Sequence, residues 1–320
     1  MSDDSQASVD VIGGLDQLYP VLNRERYTAG WHKARPSLWK EPRTPFTPRH
    51  WQYAQARRYI DLAAQWIGTD QAERRNLLMF NPVDDNDYAS LPNLVAAYQM
   101  LRPGEHARAH RHTPNALRLV LDAQEEVYTV VDGVQLPMVP GDVLLTPGWT
   151  WHSHFDHGRH DAYWIDFLDV PLVHRLESMF FEPHPEHYQP VEQAPAESPL
   201  RISAADQDRL LAAAPERDGV RSARLDTPSM RTIGLTVHRL GAGARTHRHR
   251  DAASRLFAII EGSCRIEVGD QAFDCERGDL VAVPIWHPYA IAAGSDARLL
   301  EVSDDSVQQL LGFYRKESGA

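Results

Sequence analysis

The chain repeats itself. "PGEHARAHRH" (103–112) returns as "GAGARTHRH" (241–249), and "PGDVLLTPGWTWH" (140–152) returns as "RGDLVAVPIWHPY" (277–289). One displacement, 137 residues, carries His110 to His247, Gly141 to Gly278 and Pro147 to Pro284. Two separate motifs moved by the same amount indicate a duplicated domain with one strand order. Any fold proposed for this chain must therefore be built twice.

The texture of each copy is β. Short apolar runs such as "LVAAYQML", "LRLVL", "VYTVV", "DVLLTP" and "AYWIDFL" are broken by Gly, Pro and Asp, and the same texture resumes near residue 231. This pattern predicts an all-β barrel or sandwich. "VVDGVQL" predicts a hairpin turning on Asp132-Gly133. Residues 1–74 read as an N-terminal helical and irregular segment. In it Thr47 and Pro48 open a helix, Asp70 and Glu73 are spaced as a capping box, and Trp31 and Trp39 pack on a larger body. Barrels are expected over 75–182 and 226–305. Residues 183–200 hold five prolines, so 183–225 reads as a linker, and 306–320 as a terminal helix.

Composition limits the partners. Against 33 Lys+Arg stand 44 Asp+Glu, a net charge of −11, with 42% hydrophobic and 24% charged residues. That profile fits a globular protein with sizeable cores and excludes nucleic acid and anionic membrane as default partners. Two cysteines, Cys264 and Cys275, are too few for a disulfide scaffold. The N-terminus lacks the basic start and apolar core of a signal peptide. The expected location is cytoplasmic.

Residues two apart on a strand share a face, so His110 and His112 can aim at one point. His152, from another strand, can join them. Three neutral imidazoles leave open positions on a metal, as a catalytic site needs. In the second copy the position of His152 is Tyr289, so that copy is expected to lack a metal. In "ALRLVL", alternation puts Arg118 and Val120 on one face and Leu117, Leu119 and Leu121 on the other. A guanidinium inside a barrel needs a carboxylate. The expectation is that this partner arrives with the ligand, although a structural carboxylate could take its place.

Gly, five residues, His-x-His, and later Gly, five residues, Pro, resemble the two motifs of the cupin superfamily. The fold implied is mainly β: a bicupin of two tandem double-stranded β-helix (jelly-roll) barrels behind an N-terminal helical segment. Cupins often place a Glu four or five residues after His-x-His. Here Ala116 and Leu117 stand in its place, which argues against oxalate chemistry and for the iron(II) ring-cleaving type.

A closer resemblance lies in "AERRNLLMFNP" (72–82), "LVAAYQMLRPGEHARAHRHTPNALRLVL" (94–121), "YTVVDGVQLPMVPGDVLLTPGWTWHSH" (128–154) and "YWIDFLDVPLVHRLESMFFE" (163–182). These resemble gentisate 1,2-dioxygenase and its salicylate and 1-hydroxy-2-naphthoate relatives. The resemblance implies Fe(II) on His110, His112 and His152, with a small aromatic hydroxy-carboxylate and dioxygen as partners. The ring would open between its carboxyl- and hydroxyl-bearing carbons. Arg74 and Arg118 would hold the substrate carboxylate, with Gln99, Val95 and Ala97 as further substrate-binding positions. His154 and Asp166 would act catalytically, and the assembly would be a homotetramer. The chain departs from the family at Val95, where Trp is usual, at "WHSHF" for "WHDHG", and at "DAQE" for "EGEG". Two other readings stay open, a metal-dependent bicupin with a non-oxidative, isomerase-like activity and a non-catalytic ligand-binding bicupin.

Overall fold

The computed structural model describes residues 12–33 and 36–318. The chain divides into two compact units, Met1–Arg43 and Thr44–Ala320. The first holds a helix, Leu15–Arg24, and a stacked Tyr19–His32 pair with ring centroids 4.0 Å apart. Trp31 is 73% and Trp39 55% exposed. The larger body expected to bury them is therefore not found within the unit.

The second unit contains both barrels. Its lead-in strand β1 (Arg49–Trp51) precedes a helix, Tyr53–Ala63. The helix expected from Thr47 starts later, because Thr47 is drawn to Asn81 Oδ1 by its backbone N–H (3.3 Å) and its hydroxyl (3.4 Å). The capping box at Asp70 and Glu73 is also absent. The short helix Thr69–Ala72 has no side-chain cap, and Glu73 ends it in the left-handed region at φ 49°.

The first barrel comprises β2 (Arg75–Leu78), β3 (Val95–Leu101), β4 (His106–His112), β5 (Ala116–Asp122), β6 (Val127–Val131), β7 (Val134–Pro137), β8 (Val143–Thr146), β9 (His152–Asp156), β10 (Ala162–Leu168), β11 (Phe181–Pro183) and β12 (Arg201–Ile202). They form a six-stranded sheet, β12-β8-β5-β10-β3-β2, and a five-stranded sheet, β11-β4-β9-β6-β7. The β6–β7 hairpin turns on Asp132 (φ 44°) and Gly133 (φ 78°). Positive φ at both central residues is the turn that Asp-Gly favours.

The second barrel comprises β13 (Glu216–Arg217), β14 (Val220–Leu225), β15 (Gly234–Leu240), β16 (His249–Asp251), β17 (Arg255–Glu261), β18 (Ser263–Val268), β19 (Gln271–Glu276), β20 (Leu280–Val283), β21 (Tyr289–Ala293), β22 (Ala297–Ser303) and β23 (Lys316–Ser318). Its sheets are β1-β20-β17-β22-β15-β14-β13 and β19-β18-β21-β16-β23.

Segments outside the expected barrels thus complete them. β1, β13, β14 and β23 add to the second barrel and β12 to the first, while β11 begins within the expected bounds. Covering an open sheet edge satisfies its unpaired N–H and C=O groups. The stretch 183–225 is accordingly more than a linker. It also carries the helix Ala204–Ala213, with a complete Ser203–Asp206 capping box. The C-terminal helix is likewise shorter than expected. It spans Asp305–Leu310, Gly312 takes φ 73°, and β23 follows.

One apolar cluster runs through both barrels. It joins Leu117, Leu119, Leu121, Ile165 and Phe167 to Leu235, Val237, Leu256 and Leu300. A separate cluster, including Val120, Leu144 and Trp164, fills part of the first lumen. Alternation along β5 therefore sends its leucines to the seam between the barrels and leaves Arg118 and Val120 facing the lumen.

Candidate metal centre

Three strand ends meet inside the first barrel. His110 and His112 come from β4 and His152 from β9, and one ligand atom of each lies within 4.8 Å of the others. Among the described residues this is the one group of His, Cys, Asp or Glu that could hold a metal. A register shift between Ala107 and His110 in the β4–β9 pairing aims the pair. Ala109 pairs instead with the loop at His184 and His187. The buried parity thereby passes from Ala107 to His110, which is how a bulge redirects a side chain.

The imidazoles are set as ligands. Nδ1 of His110 donates to Arg108 O (3.2 Å), that of His112 to Pro114 O (2.8 Å), and that of His152 to Thr150 O (3.0 Å). A carbonyl can only accept, so each Nε2 is left with its lone pair, the arrangement that orients metal-binding histidines. Burial, with Arg74 and His112 adding to it, pushes His110 down to about 3. Burial also lowers His112 and takes His152 well below its ordinary value. The three rings are neutral at physiological pH, as a metal requires. The donor set fits a divalent metal with open positions.

The lumen wall beside them is ordered by strand register. Asp166 of β10 stands between Ala97 of β3 and Arg118 of β5, Trp164 between Gln99 and Val120, and Leu168 between Val95 and Ala116. Arg118 is 1% exposed and is already paired. Its Nε donates to Asp166 Oδ1 (3.1 Å), and its Nη1 to Thr129 Oγ1 (2.7 Å) and His154 Nδ1 (2.8 Å). The expectation that its partner arrives only with a ligand is therefore wrong. A fully buried guanidinium without a resident carboxylate would be too costly, and Asp166, two residues from Trp164 on the same face, supplies one.

This network fixes His154. A guanidinium only donates, so Nδ1 of His154 accepts and its proton sits on Nε2. Burial, then Arg118 and Arg74, hold its pKa well below the ordinary value. Nε2 is buried with no protein partner. The group is thus a neutral donor rather than a base. Arg74, between the Thr69–Ala72 helix and β2, donates from Nε to Gln99 Oε1 and makes a long contact with Glu73 (3.6 Å). Its charge lowers His110, His112 and His154 alike. Thr129 and Trp164 escaped the sequence reading. Alternation along β6 and β10, phased on Arg118, was the signal that could have found them.

The second lumen is different. His247 turns outward, its side chain 88% exposed, to Asp218. Arg255, the counterpart of Arg118, is held by Asp251 (2.5 Å) and Glu301 (2.8 Å), and Glu301 also meets His238 (2.9 Å). Every carboxylate there already has a partner in the protein.

Two jelly-roll barrels with a three-histidine site in the first define a bicupin. A family model described as "Cupin domain" matches residues 97–168 and 236–303. 5-aminosalicylate 1,2-dioxygenase of Comamonas sp is 30% identical over 96% of this chain and 91% of its own length. Gentisate 1,2 dioxygenase 1 of Aquipseudomonas alcaligenes is 28% identical over 94% of this chain and 95% of its own. The crystal structure of a mutant salicylate 1,2-dioxygenase from Pseudoaminobacter salicylatoxidans, in complex with gentisate, superposes with a TM-score of 0.86 at 26% identity. It covers 97% of this chain and 96% of that one. The chain belongs to the gentisate and salicylate 1,2-dioxygenase family, and it is an oxidoreductase of that type.

Proposed function

We propose that the first barrel, loaded with iron(II), opens the ring of gentisate or another 5-substituted salicylate between its carboxyl- and hydroxyl-bearing carbons. The observation that carries this reading is the three-imidazole cluster with no carboxylate among its ligands, in the barrel that also buries Arg118. Iron(II) on His110, His112 and His152 would supply open positions for a chelating substrate and dioxygen, and a path for electrons between them.

The protein's part is positioning. Arg74 has used one donor on Gln99 and offers its remaining edge to the substrate carboxylate, whose shape suits a planar fork. Nε2–H of His154 donates to a substrate oxygen. Arg118 and Asp166 keep that imidazole in one tautomer and one orientation, so the reacting groups meet without a rotational search. Val95, Ala97 and Gln99 line the wall facing the ring. With Val95 in place of a tryptophan, the pocket has room for a ring substituent or a second ring. The reading includes a cytoplasmic homotetramer, which light scattering of the purified protein would test.

The deciding measurement is dioxygen uptake by protein loaded anaerobically with iron(II). Salicylates bearing a 5-hydroxyl or 5-amino group should consume stoichiometric dioxygen. Benzoate and 3-hydroxybenzoate, which lack the ortho-hydroxyl, should not react. Turnover without dioxygen, or equal turnover with zinc, would replace this reading with an isomerase-like one. Absence of any bound redox metal would leave a ligand-binding protein.

A further inference from the structure

The two cysteines lie far from the three-histidine site in sequence, and they face one another. Cys264 of β18 and Cys275 of β19 are direct cross-strand partners, and both are buried and free. The hairpin closes Val268 onto Gln271 across a two-residue turn, Gly269-Asp270, and runs without a register shift. A two-residue turn is closed by a hydrogen-bonded pair, and such pairs alternate along the ladder. Cys264–Cys275 therefore falls at a hydrogen-bonded position. There Cα atoms stand about 5.5 Å apart, inside the window of roughly 4.4–6.8 Å that a disulfide spans.

Three further observations converge on the pair. The Cys275 thiol donates to the Phe273 carbonyl at 3.4 Å. His50 of β1 sets Nε2 on Asp279 Oδ2 at 2.8 Å, and the Cys275 thiol is among the groups that raise its pKa. A cavity of about 580 Å³ is lined by Ser263, Cys264, Cys275 and Asp279. Contact with Cys264, then burial, push the Cys275 thiol up, and His50 pulls against them. The resting state is thus a dithiol beside an imidazolium.

We propose that Cys264 and Cys275 form a peroxide-responsive dithiol that closes to a cross-strand disulfide, with the imidazolium of His50, held in place by Asp279, stabilising the attacking thiolate. Cys275 releases its proton to solvent, and its sulfur attacks one oxygen of hydrogen peroxide. The O–O bond breaks, and the departing hydroxide takes up a proton as water. Cys264 sulfur then attacks the sulfenic sulfur of Cys275. The S–O bond breaks, and hydroxide leaves with the Cys264 proton as a second water. Two thiols are oxidised by two electrons and one peroxide is reduced. A bridge at a hydrogen-bonded position is stretched relative to the relaxed Cβ separation, so small thiols reduce it readily.

The test is peptide mapping under non-reducing conditions after treating the intact protein with hydrogen peroxide. Both thiols should disappear together, one linked peptide pair should contain Cys264 and Cys275, and dithiothreitol should restore both. In Cys264→Ser, Cys275 should stop at the sulfenic acid and be captured by a cyclic 1,3-diketone. His50→Gln should slow bridge formation about tenfold, the loss expected when a thiolate's neighbouring cation is removed. Should either variant fail to fold, the thiol count and peptide map of the unmodified protein decide alone. Survival of both thiols, over-oxidation without a bridge, or a bridge only between chains would overturn the proposal.

Discussion

His152 and Tyr289 hold the same place in the two repeats, and this difference, with His247 turned outward to Asp218, separates a ligand cluster from a wall of side chains. His152→Ala should abolish dioxygen uptake and most metal binding, because two imidazoles hold a divalent ion poorly. His249→Ala should leave metal content nearly unchanged. Metal analysis of the two variants in parallel checks both. Arg118 behaves differently from its sequence reading. Since Asp166 is its resident partner, Arg118→Leu should strand a buried carboxylate and cost about 3–5 kcal/mol. Converting Asp166 to Leu as well should recover part of that loss. Chemical denaturation of the single and double variants gives the measurement. An Arg118→Leu protein of unchanged stability would return the residue to the role of a clamp awaiting its ligand.

Backbone geometry governs the next scale. Gly148, in the turn before β9, has no room for a side chain, since a Cβ there would run into the carbonyl of Thr113. That segment is anchored, because Thr113 N–H bonds Phe180 O (3.0 Å) and Gly148 N–H bonds Asn115 Oδ1 (2.9 Å). Gly148→Ala should therefore cost about 1–3 kcal/mol, as overpacking does, and loosen the metal site that follows. Gly104→Ala, where nothing lies within 4 Å, should cost only the strain of its φ of 82°. Urea midpoints of the two variants should differ in that order. The strand β1 is clasped by His50 on Asp279. Burial alone would lower His50, but hydrogen bonds to Asp279 and Cys275 outweigh it and raise the ring to about 9. A raised pKa in the folded state means that the clasp stabilises fully below about 6.5 and is lost as pH climbs through about 9. Thermal melts should show stability falling across that window, and Asp279→Asn should flatten the fall.

The two barrels share one core at the scale of the molecule. Leucines of β5 and aliphatic side chains of β15, β17 and β22 lie in a single cluster. Tyr98 of the first barrel donates to Gly278 O (2.8 Å), and Tyr53 donates to Asp122 Oδ2 (2.7 Å). Calorimetry should accordingly give one cooperative transition. Residues 75–182 expressed alone would expose that apolar seam and lose β12, and should aggregate. Two well-separated transitions would show that the seam does not couple the barrels. Among the described residues no helix is long and apolar enough to cross a membrane.

Much of this was legible in the chain itself. The 137-residue repeat predicted two like barrels, His-x-His placed its pair on one strand, and alternation in "ALRLVL" assigned both faces of β5. These features survive in sequence because they depend on local period and on duplication. What the sequence could not show depended on contacts between distant segments. Only the folded sheets reveal that β1 and β12 complete barrels from outside their expected bounds. Only the register of β5 against β10 reveals that Arg118 already holds Asp166. The physical reason is that pairing across strands brings together residues separated by dozens of positions, and burial in low dielectric then demands that every charge find its partner there.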